Sequence, residues 1–179
     1  MIEHHIDIET NDGTMATFIS HPDADGPYPV VLFLMDAPGK REELHDMARR
    51  ISATGYYVML PNLYYREVRS FTLHREDPAS AEYMFKLMSN LRNDMVARDA
   101  KSMIAYADAD VVADASRIGV TGFCMSGPFA LWLFAVFPDV IKSAASIHGV
   151  RLAVDAEDSP HSRAAEMVGE ILVMAAEYD

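Results

Sequence analysis

The sequence predicts an α/β fold, a mostly parallel central sheet with helices on both faces. Three observations carry this expectation. Strand-like and helix-like segments alternate along the chain. The run Tyr28-Pro29-Val30-Val31-Leu32-Phe33-Leu34-Met35 is continuously apolar, as in a strand buried on both faces of a parallel sheet. No repeat or linker divides the 179 residues, and 50% hydrophobic content fills one core, not two, so a single domain over residues 1–179 is expected.

The elements follow in order. Ile2 to Glu9 alternates apolar and polar residues, Asn11-Asp12-Gly13 signals a turn, and Thr14 to Ser20 follows, so the chain opens on an N-terminal β-hairpin. After the apolar run, Leu44, Met47, Ala48 and Ile51 share helical spacing within Glu42 to Ala53, and Gly55 closes that helix. Tyr56 to Leu60 is a strand ended by Pro61. Asn62 to Ser80 reads as a long irregular stretch carrying Tyr64, Tyr65, Arg66, Arg69, His74 and Arg75. Loops of this length in compact domains are often functional. Ala81 to Ala109 is mostly helical, Arg117 to Thr121 a strand, Pro128 to Phe137 a helix, and Val140 to Ile147 and Ile171 to Ala175 strands. Ligands of such sheets sit beyond the carboxyl ends of the strands.

Charge and composition exclude several functions. With 27 acidic against 15 basic residues the formal net charge is -12. That is the opposite of the clustered Lys and Arg that replace phosphate counterions in nucleic-acid binders. The longest apolar run, Phe129 to Val136, is far short of the roughly 20 residues of a spanning helix, so no membrane partner is expected. The N-terminus lacks the basic and apolar regions of a signal peptide. A lone cysteine makes no internal disulfide, which points to a reducing, cytoplasmic setting.

The segment with chemical content is Ile118-Gly119-Val120-Thr121-Gly122-Phe123-Cys124-Met125-Ser126-Gly127-Pro128. An apolar strand enters a tight turn and leaves as an apolar helix, with small residues two before and two after Cys124. This is the pattern of a nucleophile elbow, where strand and helix approach so closely that flanking side chains must be small. The following helix N-terminus favours a thiolate. The plain alternative is a small buried core cysteine, which leaves the glycines unexplained.

Gly-Phe-Cys-Met-Ser-Gly resembles the elbow of dienelactone hydrolases, α/β-hydrolase-fold enzymes whose elbow usually reads Gly-x-Cys-x-Gly-Gly, with Ser126 here in place of a glycine. Ser116 to Val120, Val31 to Gly39, Met47 to Arg50 and Gly55 to Tyr64 are similar too. The resemblance implies hydrolysis of small esters or lactones, often with a carboxylate on the substrate, by a Cys-His-Asp triad without metal or other cofactor. It implies Cys124 as nucleophile and Asp179 as the triad acid. It places Asp36 against the resting cysteine, one methylene shorter than the usual Glu; the alternative is a loop Asp capping its turn. The backbone N–H groups of Ala37 and Met125 become the oxyanion donors. His148 matches a substrate-pocket position, and Tyr64, Arg66 and Arg69 are candidate substrate contacts, with solvated surface arginines as the alternative.

The triad histidine of the family stands well downstream of the acid, hence beyond residue 179. The chain is therefore expected to be an incomplete domain, with its C-terminal portion missing and apolar surface left open near Ile171 to Met174 and along Pro128 to Phe137. Two other function classes compete. One is a non-catalytic protein of this fold that binds a ligand or partner, and the other a redox-sensing thiol, which lacks a resolving cysteine. Either a monomer or a homodimer is compatible with the sequence.

Overall fold

The computed structural model describes residues 1–24 and 26–176. The strands are β1 (Ile2–Thr10), β2 (Gly13–His21), β3 (Tyr28–Leu34), β4 (Tyr57–Pro61), β5 (Ala113–Phe123), β6 (Ile141–Ile147) and β7 (Glu170–Met174). The helices are α1 (Glu42–Ser52), α2 (Pro78–Ser89), α3 (Asn93–Ala109) and α4 (Gly127–Val136). One seven-stranded sheet has the order β1-β2-β4-β3-β5-β6-β7. β1 and β2 form the expected hairpin, and β2 meets β4 antiparallel. From β4 across to β7 every pairing is parallel.

Local chemistry explains the elements. In the hairpin, Thr10 faces Gly13, whose φ of 128° suits only glycine. Acidic Glu42 and Glu43 open α1 and basic Arg49 and Arg50 close it, matching the helix dipole at both ends. Gly55, at φ 101°, turns the chain into β4. β3 and β4 bury Val30, Leu32, Phe33, Leu34, Tyr57, Met59 and Leu60 almost completely. Each such side chain is worth roughly 1.5–3 kcal/mol of burial.

Right-handed crossovers decide which face each helix covers. The chain moves outward from β3 to β4 through α1, then back past β3 to β5 through α2 and α3. The reversal puts α1 on one face and α3 on the other. Moving on from β5 to β6 keeps α4 on the α3 face, and α3 packs against α4. The β6–β7 connection, with a 3-10 segment at Pro160–Glu166, also packs on α4. On the α1 side, β5, β6 and β7 therefore carry no helix of the described residues. An open trough of about 740 Å³ runs there, lined by Val31, Gly119, Thr121, Ala145 and Leu172 among others.

Several expectations need correction. The helical stretch breaks at Asn90, Leu91 and Arg92 into α2 and α3, and α2 already starts at Pro78, with Asp77 accepting from the Ala79 amide as its cap. β5 is longer at both ends than foreseen. Ile171, Leu172, Val173 and Met174 are 45–53% exposed, as expected. The helix Pro128 to Phe137 is not exposed: α4 buries Phe129, Ala130, Leu131, Leu133 and Phe134. A helix apolar all round belongs in a core, and α3, the sheet and the 3-10 segment together enclose it.

The half-exposed apolar strand has a measurable consequence. Isolated as this chain, the protein should bind a hydrophobic dye on the open face, and Leu172→Lys should reduce that fluorescence while leaving the fold unchanged by circular dichroism. Undiminished dye binding in the variant would place the dye elsewhere.

Candidate active site

β5 delivers Cys124 at the carboxyl end of the parallel sheet. A single 3-10 turn, Cys124–Ser126, links β5 to α4. Cys124 itself sits at φ 53°, in the left-handed region. For a non-glycine residue this costs on the order of 1–2 kcal/mol and persists only where surroundings impose it. The imposition is visible. A methyl group on Gly122 would overlap the Ser126 carbonyl, and one on Gly127 would collide with the backbone of Gly149. The Ser126 hydroxyl donates to the Met35 carbonyl at the end of β3. Serine in place of the second small elbow residue thus adds a tie between the elbow and the β3 loop.

That loop carries Asp36 and Ala37. The Gly39 amide donates to the Asp36 carbonyl at 3.0 Å, closing a turn in which Gly39 takes φ 87°. Both Asp36 carboxylate oxygens accept from Arg41, at 2.5 and 3.0 Å, and Arg41 also donates to the Gly39 carbonyl at 2.9 Å. The paired carboxylate holds the Arg41 guanidinium above its ordinary pKa. Arg41 thereby offsets a negative charge that would oppose a nearby thiolate. Sequence reading missed this partner, although Arg41 stands just past the turn that Asp36 begins.

Tyr64 joins the two loops. Its buried hydroxyl donates to the Ala37 carbonyl at 2.8 Å and lies 3.3 Å from the Met125 sulfur. Burial first, then the charges of Asp36 and Cys124, push its pKa up, so all three groups share one neighbourhood. The structure thus gathers Asp36, Ala37, Tyr64, Cys124 and Met125 in one neighbourhood, but Tyr64, expected as a substrate contact, is 1% exposed and commits its hydroxyl to the Ala37 carbonyl.

From the other side, the Val150 amide donates to the Cys124 carbonyl at 3.2 Å, which seats the His148–Val150 segment on the elbow. His148 has φ 40°, is exposed, and its amide donates to the Met174 carbonyl at the end of β7. His4, His5, His21 and His45 instead group around β1, β2 and α1. His161 bonds Ser159 at 2.6 Å, and His74 lies in the loop before α2. His148 is the histidine that the described residues place beside Cys124. Asp179 lies outside the described residues.

Arg66 and Arg69 are not brought to this site. The Arg66 guanidinium binds Asp99 at 3.0 and 2.7 Å and Asp12 at 2.9 and 2.7 Å, tying the hairpin turn to α3. Arg69 reaches back to Asp7 at 3.0 Å. Beside the elbow, a cavity of about 350 Å³ has an apolar floor of Met125, Pro128, Phe129 and Val150, with Arg92 and Arg151 on its lining. Among the described residues, no cluster of three or more His, Cys, Asp and Glu could hold a metal, and no helix is long and apolar enough to cross a membrane.

Comparison with known proteins assigns the family. A "Putative carboxymethylenebutenolidase" of Salmonella typhi is 31% identical over 162 residues, covering 86% of this chain and 55% of that protein. A protein of the same name from Methylorubrum extorquens is 28% identical over 149 residues, covering 83% of this chain and 50% of its own length. The chain thus spans about half the length of these curated relatives. The crystal structure of a "Putative Dienelactone Hydrolase" from Klebsiella pneumoniae superposes with a TM-score of 0.81 at 26% identity, covering 96% of this chain and 71% of that one. Residues 15–179 match the dienelactone hydrolase family as a whole, and the chain belongs to that family.

Proposed function

We propose that the protein hydrolyses small esters or lactones through an acyl-enzyme on Cys124. The observation that carries this reading is the left-handed backbone of Cys124, imposed between β5 and α4 at the carboxyl edge of the sheet. A buried structural cysteine needs no such strain. In the proposed reaction the Cys124 thiol gives its proton to the triad histidine as its sulfur attacks the substrate carbonyl. The amides of Ala37 and Met125 stabilise the oxyanion, and the alcohol or enol leaves with a proton from the triad histidine. Water then cleaves the thioester. Removing one oxyanion donor from such a site typically costs ~10²–10³ in rate. Tyr64 and Ser126 hold the two donor-bearing loops in register, and Asp179 is assigned to orient the histidine.

The cavity beside the elbow suits a small acyl group with an anionic end. Neither Arg66 nor Arg69 lines this cavity, so the anion would meet Arg151 instead. Arg151→Gln should raise KM for a small anionic ester several-fold and leave a neutral ester nearly unchanged. Equal effects on both would remove the anionic preference from the proposal.

The test of the reading is chemical. The protein expressed from its complete gene should hydrolyse a p-nitrophenyl ester and an enol lactone, and one equivalent of iodoacetamide should abolish both activities, with substrate protecting. Full activity after alkylation of Cys124 would overturn it.

A further inference from the structure

We propose a second small-molecule site, for a carboxylate or phosphate group, in the pocket between β1, β2 and the loop after β3. This pocket of about 300 Å³ is lined by His5, Asp7, Thr17, Lys40, Arg69 and Ser70 together with Ile6 and Ala16. None of Cys124, Tyr64 or His148 lines it, so it stands apart from the reaction site and holds whatever Cys124 does.

The charge balance inside the pocket points to an anion. Lys40 and Arg69 bring two basic side chains against one carboxylate, Asp7, which bonds Arg69. Lys40 makes no hydrogen bond or ion pair with any described residue. It is nevertheless half-buried, and burial, then Arg69, lower its pKa against the opposing pull of Asp7. In a chain of net charge -12, placing two cations close together with one counter-charge runs against the overall balance. An arriving oxyanion would supply the missing charge and accept from the Lys40 ammonium, the Arg69 guanidinium and the Ser70 hydroxyl.

The framework around these groups is fixed. The turn closed by the Gly39 amide on the Asp36 carbonyl leads directly into Lys40 on the pocket lining. The buried Asn62 side chain donates to the carbonyls of Val68 and Arg69, which pins the Arg69 backbone. Paired strand positions Asp7 and Ala16, and Ile6 and Thr17, make the floor. The volume accommodates a molecule of several heavy atoms beyond a bare phosphate, so the group is expected to belong to a small metabolite carboxylate or phosphate ester.

The probes are inorganic phosphate and malonate, titrated into the protein by calorimetry at constant ionic strength set with chloride. Saturable binding of either is expected, and the tighter one identifies the oxyanion class. Lys40→Gln and Arg69→Gln should each weaken binding about tenfold. Lys101→Gln, the same charge change on an exposed position of α3, should leave it unchanged. Asp7→Asn should tighten binding by removing the competing carboxylate. Cys124→Ala should have no effect. Absence of saturable binding of both anions, or equal weakening by Lys101→Gln, would overturn the proposal.

Discussion

Arg66→Gln should destabilise the protein by about 3–5 kcal/mol at pH 7, the usual cost of leaving a buried charge without its partner. Asp99, with a side chain 1% exposed, accepts from Arg66 and, at 2.8 Å, from the Tyr65 hydroxyl. Burial raises the Asp99 pKa, and the bonds from Arg66 and Tyr65 hold that rise in check. Without Arg66 the pKa must rise further. A carboxyl group whose folded pKa lies above its unfolded value contributes stability that is complete below the unfolded value, near about 3.9, and is lost as pH rises through the folded pKa. The deficit of the variant should therefore be greatest at neutral pH and shrink in acid, where Asp99 takes up a proton. Asp99→Asn in the same background should recover much of the loss. Urea unfolding at pH 7 and pH 5 measures this, and a deficit that is equal at the two pH values would contradict the buried-charge explanation.

This ion-pair system also shows where sequence reading ends. The apolar run into β3, the glycines around Cys124 and the Asn-Asp-Gly turn are local signals. Each specifies its own backbone, and the fold and the elbow were legible from them. The partners of Arg66 are not local, because Asp12 is 54 and Asp99 33 positions away. Three arginines in one loop suggest a reception site for an anion at Cys124, whereas the fold turns two of them away from it, Arg66 onto Asp99 and Asp12 and Arg69 onto Asp7. The Asp36–Arg41 pair was closer to view, since a five-residue separation across a glycine turn brings two charges together. The burial of α4 was misjudged for a simpler reason. Its apolar residues surround the whole helix, and the covering α3 and 3-10 segment lie far along the chain. The Ser126 tie to Met35 depends on the registry of β3 beside β5, which no local pattern encodes.

Cys124→Ala should lower ester hydrolysis by roughly 10⁴–10⁶ in kcat, the range found when a triad nucleophile is removed. The fold should persist, because alanine fills less space at the same backbone angles. Cys124→Gly separates the two roles of this position. Glycine accepts φ 53° without the steric cost borne by cysteine, so part of the ~1–2 kcal/mol of strain should return as stability, against glycine's greater unfolded-state entropy. A variant that is inactive but no less stable than the parent would show that the strained elbow is maintained for the reaction and not for folding. Activity near the parental level in either variant would remove Cys124 from the reaction.

The most direct measurement is to catch the acyl-enzyme. The 179 residues hold one cysteine, so within them a thioester can form at one position only. The protein from its complete gene, mixed with excess p-nitrophenyl ester and quenched in acid during turnover, should gain the mass of one acyl group. Peptide mapping should locate that group on the segment containing Cys124, and hydroxylamine should release it. Continued turnover with no acyl group on Cys124, or with the adduct mapped to another residue, would contradict the central claim.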